Sequence, residues 1–157
     1  MFNYYIDLSE RILAKAKLGE DTSALRKELY FTRASNLITK LNTDELKKTF
    51  WINIYDAYKL IMTAENKDAK TILKRKRIKF SHYLLSLDDI KYGILKIHKY
   101  KIGIYYVNNP FYSSFIKRLA VEKADKKLNQ SLNKSLHRKE SKITFEKKLS
   151  YSKFFIL

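Results

Sequence analysis

The stretch Thr49-Phe50-Trp51-Ile52-Asn53-Ile54-Tyr55-Asp56-Ala57-Tyr58-Lys59-Leu60-Ile61-Met62 decides the fold. Read at helical period, Phe50, Ile54, Ala57, Tyr58 and Ile61 fall on one face, and Trp51, Tyr55, Tyr58 and Met62 on an adjacent one. A helix that is apolar nearly all round is a buried helix. Asn53 and Asp56 are the exceptions, three residues apart and therefore neighbours on its surface. A buried polar side chain without a partner costs about 1–3 kcal/mol. The neighbouring segments are therefore expected to supply hydrogen bonds to these two residues.

Outward from this helix, Thr43 suits an N-cap, and Asp44 and Glu45 suit the positive end of the helix dipole. The helix should fade around Thr63 to Asn66. Upstream, Tyr5 to Lys17 reads as a first helix with Ile6, Ser9, Ile12, Leu13 and Ala16 on one face and Gly19 as its stop. Thr22 is expected to cap a second helix carrying Leu25 and Leu29. A break near Ser35 precedes a further helical pattern through Leu37 and Leu41.

Downstream lies a basic run, Lys74-Arg75-Lys76-Arg77, with Lys70 and Lys79 beside it. These cations are candidates for anion binding, and equally for a solvated connection. Phe80 and Tyr83, close by, do not form the interleaved stacking platform of a single-strand binder. Next, Ser86 followed three residues on by Asp89 is a capping box with Asp in place of Glu, opening an apolar stripe from Leu87 through Ile90, Ile94 and Leu95 to about Ile97. Lys101–Val107 reads as a strand loosened by Gly103, and Asn108-Asn109-Pro110 as a turn. Ser113 or Ser114 would cap a short helix through Leu119, with Ala120-Val121-Glu122 extended. The last segment, 126–157, is rich in Lys and Ser without Gly or Pro, and reads as a separate basic tail.

With 157 residues, 45% hydrophobic and 14% aromatic, the chain has the composition of one globular domain. It has no cysteine, which excludes disulfides, thiolate metal sites and Cys nucleophiles. His82, His98 and His137 have no metal-ligand spacing, and nothing points to a metal or a cofactor. The net charge of +17 is compatible with weak binding of polyanions, whether nucleic acid or an anionic membrane surface, and equally with solvated Lys-rich helix faces. The first residues lack a basic n-region, and Asp7 and Glu10 interrupt any apolar run, so no signal peptide is expected. No stretch reaches transmembrane length. A soluble, cytoplasmic protein is the expectation.

Phe-Trp-Ile-Asn-Ile-Tyr-Asp over residues 50–56 resembles the Phe-Trp-Ile-Asn-x-Tyr-Asn signature of the domain-of-unknown-function 547 family. Ser-Leu-Asp-Asp-Ile-Lys-Tyr-Gly-Ile-Leu-Lys over residues 86–96 is similar to that family's Ser-Leu-Asp-Asp-Ile-Glu-His-Gly-Ile-Leu-Arg motif, and the likeness covers roughly residues 5 to 125. Three departures stand out. Asp56 replaces the family's usual Asn, and Lys91 and Tyr92 replace its Glu-His pair. From Lys126 the chain reads Lys-Lys-Leu-Asn-Gln where the family continues into a His- and Cys-bearing segment. The resemblance implies no established activity. Its helix-then-His-strand layout is similar to papain- or transglutaminase-type enzymes, but the thiol and the partner His are missing here.

The expectation is an α+β fold, mainly helical, one domain over 1–125 with a small sheet fed by Ile78–Leu84 and Lys101–Val107. A non-catalytic binding or scaffold module, or a truncated or frame-disrupted remnant, is the first functional reading. Asn53, Asp56, Ser86, Asp88 and Asp89 are then structural polar groups. The alternatives are a hydrolase- or transferase-like enzyme using Asn53, Asp56, Asp88 and Asp89 with His82 or His98, and a nucleic-acid binder acting through Lys74 to Lys79.

Overall fold

Asn3 opens the first helix, α1 (Tyr4–Leu18), its side-chain oxygen accepting from the N–H groups of Tyr5 and Ile6 at 3.1 and 3.4 Å. Gly19 closes it at φ 72°, in the left-handed region that glycine enters without steric cost. The computed structural model describes residues 2–65, 69–102 and 105–123, all within the compact unit Met1–Ala124. The tail 126–157 lies outside the described residues.

Helix α2 (Ser23–Phe31) is not capped by Thr22 as expected. Thr22 is buried, and Asp21 takes the role from one position earlier, accepting from the backbone N–H and the hydroxyl of Ser23 at 2.9 and 2.7 Å. The break before α3 (Ala34–Lys40) falls at Thr32–Arg33, slightly ahead of Ser35. There the N–H of Ala34, an orphan donor at a helix start, is satisfied by the Ser81 hydroxyl at 3.1 Å.

The central helix α4 runs 22 residues, Asp44–Glu65, with the Thr43 hydroxyl accepting from Leu46 N–H at 3.3 Å. It buries Phe50, Trp51, Ile54, Tyr55, Ala57, Tyr58 and Met62, as its periodicity requires, while Ile61 stays half-buried. Helix α1 packs along it through Tyr5, Leu8, Ser9 and Ile12. The Trp51 ring meets Phe50 and Phe80 edge-on at 5.0 and 5.2 Å, a geometry that aromatic quadrupoles favour.

After the short α5 (Ala69–Ile72), β1 (Ile78–Phe80) and β2 (Tyr83–Leu85) pair antiparallel, Ile78 opposite Leu85 and Phe80 opposite Tyr83. Ser81 and His82 form the two-residue turn with φ of 46° and 64°, both positive as the twist of a tight hairpin demands. The structure holds this strained pair from outside: Ser81 through Ala34, and His82 through its N–H to the Tyr30 carbonyl at 3.3 Å. A π-helix, Asp89–Ile94, comes next. Then β3 (Lys99–Ile102) and β4 (Tyr105–Asn108) make a second antiparallel hairpin, and Ser113 caps α6 (Ser114–Leu119).

The fold is α+β and mainly helical. The two β segments do not feed one sheet, however; each folds back on itself as a separate two-stranded hairpin. The segment expected as one strand, Lys101–Val107, divides between β3 and β4. Beyond α6, Val121 N–H reaches the Ile94 carbonyl at 3.2 Å, and the N–H groups of Glu122 and Lys123 reach the Asp44 carboxylate at 2.8 and 2.7 Å. No helix among the described residues is long and apolar enough to cross a membrane.

Candidate functional site

Asn53 leaves α4 toward α1, where its amide donates to the Ser9 hydroxyl at 3.1 Å. Ser9 is fully buried, and its hydroxyl donates in turn to the Ile6 carbonyl at 2.8 Å. A polar relay thus crosses the main helix–helix contact. Asp56, three residues on, is half-buried. Burial raises its carboxyl above the usual carboxylate range, against the opposing pull of Lys59 and Lys17.

The second polar group sits at the start of the π-helix. Ser86 N–H donates to Asp89 at 2.8 Å, and Asp89 N–H donates to the Ser86 hydroxyl at 3.0 Å, the reciprocal pair of a capping box. The helix that follows is wider than expected. Leu95 N–H bonds the Ile90 carbonyl and His98 N–H the Gly93 carbonyl, each across five residues. Its apolar side rests on α6, and Gly93 is the point of closest approach: a Cβ there would stand 2.8 Å from Ile116 Cγ2 and 3.1 Å from Tyr112 Cε1. The turn that follows carries Ile97 and His98 at φ 53° and 56°, an uncommon conformation for a β-branched residue.

Asp88, between the two capping partners, is also half-buried. Burial raises its carboxyl, with Lys91 and Lys74 lowering it and Asp89 raising it. Lys91 and Lys96 are 4% and 5% exposed, and their ammonium groups lie 5.3 and 5.1 Å from the centre of the Tyr92 ring. Neither buried cation is signalled in the sequence, since lysine ordinarily reads as surface.

Tyr55 links the two motifs. It is fully buried on α4, and its phenol is pushed far up by burial first, and then by the nearby carboxylates of Asp88 and Asp56. Among the described residues, neither its hydroxyl nor the Trp51 indole N–H has a hydrogen-bond partner. The two histidines lie elsewhere. His82 packs against Tyr30 and Phe31, and His98 lies near Tyr112, where burial and then Lys117 lower its pKa. Neither hydrogen-bonds Asn53, Asp56, Asp88 or Asp89 among the described residues. No group of His, Asp or Glu suited to a metal ion occurs among the described residues.

The basic run is divided by the fold. Lys74, Arg75, Lys76 and Arg77 are all exposed. Arg77, together with Lys79, lines a hollow of about 340 Å³ whose other wall is Arg26, Lys27, Tyr30 and Tyr58. Glu65 bridges the two arginines, 3.6 Å from Arg26 and 3.1 Å from Arg77.

Against known families, the model described as "Protein of unknown function, DUF547" matches residues 38–146, more than half of the chain. The chain belongs to the DUF547 family. The match takes in both motifs, Phe50–Asp56 and Ser86–Lys96, and runs on past Asp125. Comparison with curated proteins finds no match, and comparison with solved structures finds none. The DUF547 description assigns no activity, so what this member does must be argued from its own residues.

Proposed function

We propose that this DUF547 member is a non-catalytic binding module. The observation that carries the reading is how the polar residues of both family motifs are engaged. The Asn53 amide clasps α4 to α1 through Ser9, and Ser86 and Asp89 close on each other's backbone. A nucleophile needs a base within hydrogen-bond reach, and His82 and His98 pack against other side chains instead. The absence of cysteine supports the same reading, since the thiol of a papain- or transglutaminase-type site has no counterpart here.

One observation favours the second reading, a hydrolase- or transferase-like enzyme. Asp56 and Asp88 are both held protonated to higher pH by burial, and both bear on Tyr55. Carboxyls perturbed in this way also occur where a general acid is needed. Incubating the full chain with peptide, ester and amine-acceptor probes separates the two. The module reading expects no turnover. Turnover that is lost in Asp56→Asn or Asp88→Asn would overturn it.

A further inference from the structure

We propose that the hollow between α2 and β1 is a binding site for single-stranded nucleic acid, with phosphates held by Lys27 and Lys79 and an unpaired base stacked on Phe31. The inference names a partner for the binding module and rests on that reading.

The charge is the first observation. Four cations from two elements distant in sequence converge on one concavity: Arg26 and Lys27 from α2, Arg77 and Lys79 from the segment entering and forming β1. Among the described residues Glu65 pairs with the two arginines, one carboxylate against four cations, so the lining keeps an excess of positive charge. The arginines are tied to each other by that carboxylate, and Arg26 lies 5.4 Å over the Tyr58 ring. Lys27 and Lys79 are exposed and line the same hollow. The rest of the run, Lys74 to Lys76, is exposed and directly precedes Arg77 in the chain.

The aromatics are the second observation. Tyr30, which lines the hollow, meets Phe31 and His82 at 5.1 and 4.8 Å, and those two meet each other at 5.9 Å. The cluster is braced by the bond from His82 N–H to the Tyr30 carbonyl. Phe31 is 57% exposed on it. Phe80 and Tyr83 supply no such surface: Phe80 is in the core, and Tyr83 is stacked on Phe115 at 3.8 Å. A cationic groove beside a rigid, exposed ring is the arrangement that single strands use, because every unpaired base offers a π-face. A duplex keeps its bases stacked internally and would gain only the charge. A concave site also fits a flexible strand better than the flat surface of a bilayer.

The test is fluorescence anisotropy of a labelled twelve-nucleotide oligothymidylate with the full chain, against a duplex of equal length and against anionic phosphatidylserine vesicles. The single strand is expected to bind more tightly than the duplex. Phe31→Ala should weaken single-strand binding about 5- to 150-fold, the worth of one stacked base, and leave the weaker duplex binding unchanged. Lys27→Ala and Lys79→Ala should each lower the slope of log K against log salt by about 0.7. Lys40→Ala with Arg118→Ala, which removes two charges that do not line the hollow, should do so less. All these residues are exposed, so the variants are expected to fold. Equal binding of single strand and duplex, an unaffected Phe31→Ala, or preference for the vesicles would each overturn the proposal. Absence of binding would remove this site and leave the module reading standing. Cleavage of the oligonucleotide would do the reverse.

Discussion

Gly93 offers a test of the packing that places the second motif. Its φ is not in the left-handed region, so alanine is acceptable to the backbone there and the penalty is steric alone. The added Cβ would lie 2.8 Å from Ile116 Cγ2. Carbon atoms rest at about 3.5–4.0 Å, so α6 or the π-helix must give by about 0.7 Å. Ile116 is buried and stiff at its branched Cβ. A contact this short belongs in the upper part of the range for overpacking, about 2–3 kcal/mol, partly offset by the roughly 1 kcal/mol that alanine gains over glycine in a helix. Gly93→Ala is therefore expected to lose about 1–2 kcal/mol in urea denaturation followed by circular dichroism. Ile116→Leu removes the offending Cγ2 while keeping the volume, and should cost less than about 1.5 kcal/mol alone. Combined, the two substitutions should show a favourable coupling of about 1 kcal/mol. A Gly93→Ala variant as stable as the parent, or strictly additive effects, would refute the close contact.

Three further outcomes are expected. Asp56 has a carboxyl raised by burial, so the native state holds its proton to higher pH than the unfolded chain does. Stability should then fall as pH rises from the unfolded value, about 3.9, through the raised native value, and the full penalty should be present above it. Asp56→Asn should accordingly raise Tm at neutral pH and converge on the parent near pH 3; equal Tm values at every pH would contradict this. Tyr55→Phe removes a buried hydroxyl that has no partner among the described residues, and is expected to leave stability unchanged or gain up to about 1 kcal/mol. A clear loss in calorimetry would mean that the hydroxyl is bonded. Ser86→Ala should cost about 1 kcal/mol in urea by opening the capping pair, and no loss would remove that role.

Much of the helical framework was legible because it rests on local rules. The apolar circumference from Phe50 to Met62 marked α4 as buried, Thr43 and Gly19 marked helix ends, and the spacing of Ser86 and Asp89 gave the capping box. Long-range pairing was not legible. Ser9 read correctly as an inward residue of α1, but nothing local tied it to Asn53, 44 residues away. Asp44 read as a dipole partner, whereas its carboxylate also accepts from the N–H groups of Glu122 and Lys123; burial pushes its pKa up, but these two bonds together with Lys47 and Lys48 leave it lowered. The hairpin turn at Ser81-His82 carries neither Gly nor Asn, so its positive φ values left no trace in composition. Arg77 and Lys79 read as part of one basic run, and only the docking of β1 on α2 sets them opposite Arg26 and Lys27.

Asn53 is the clasp between α1 and α4 on which the placement of both helices depends. A double-mutant cycle in urea with Asn53→Ala, Ser9→Ala and both together measures that clasp directly. A coupling of about 1 kcal/mol between the two positions is predicted. Independent, additive losses would contradict it, and would free Asn53 for a role outside the fold.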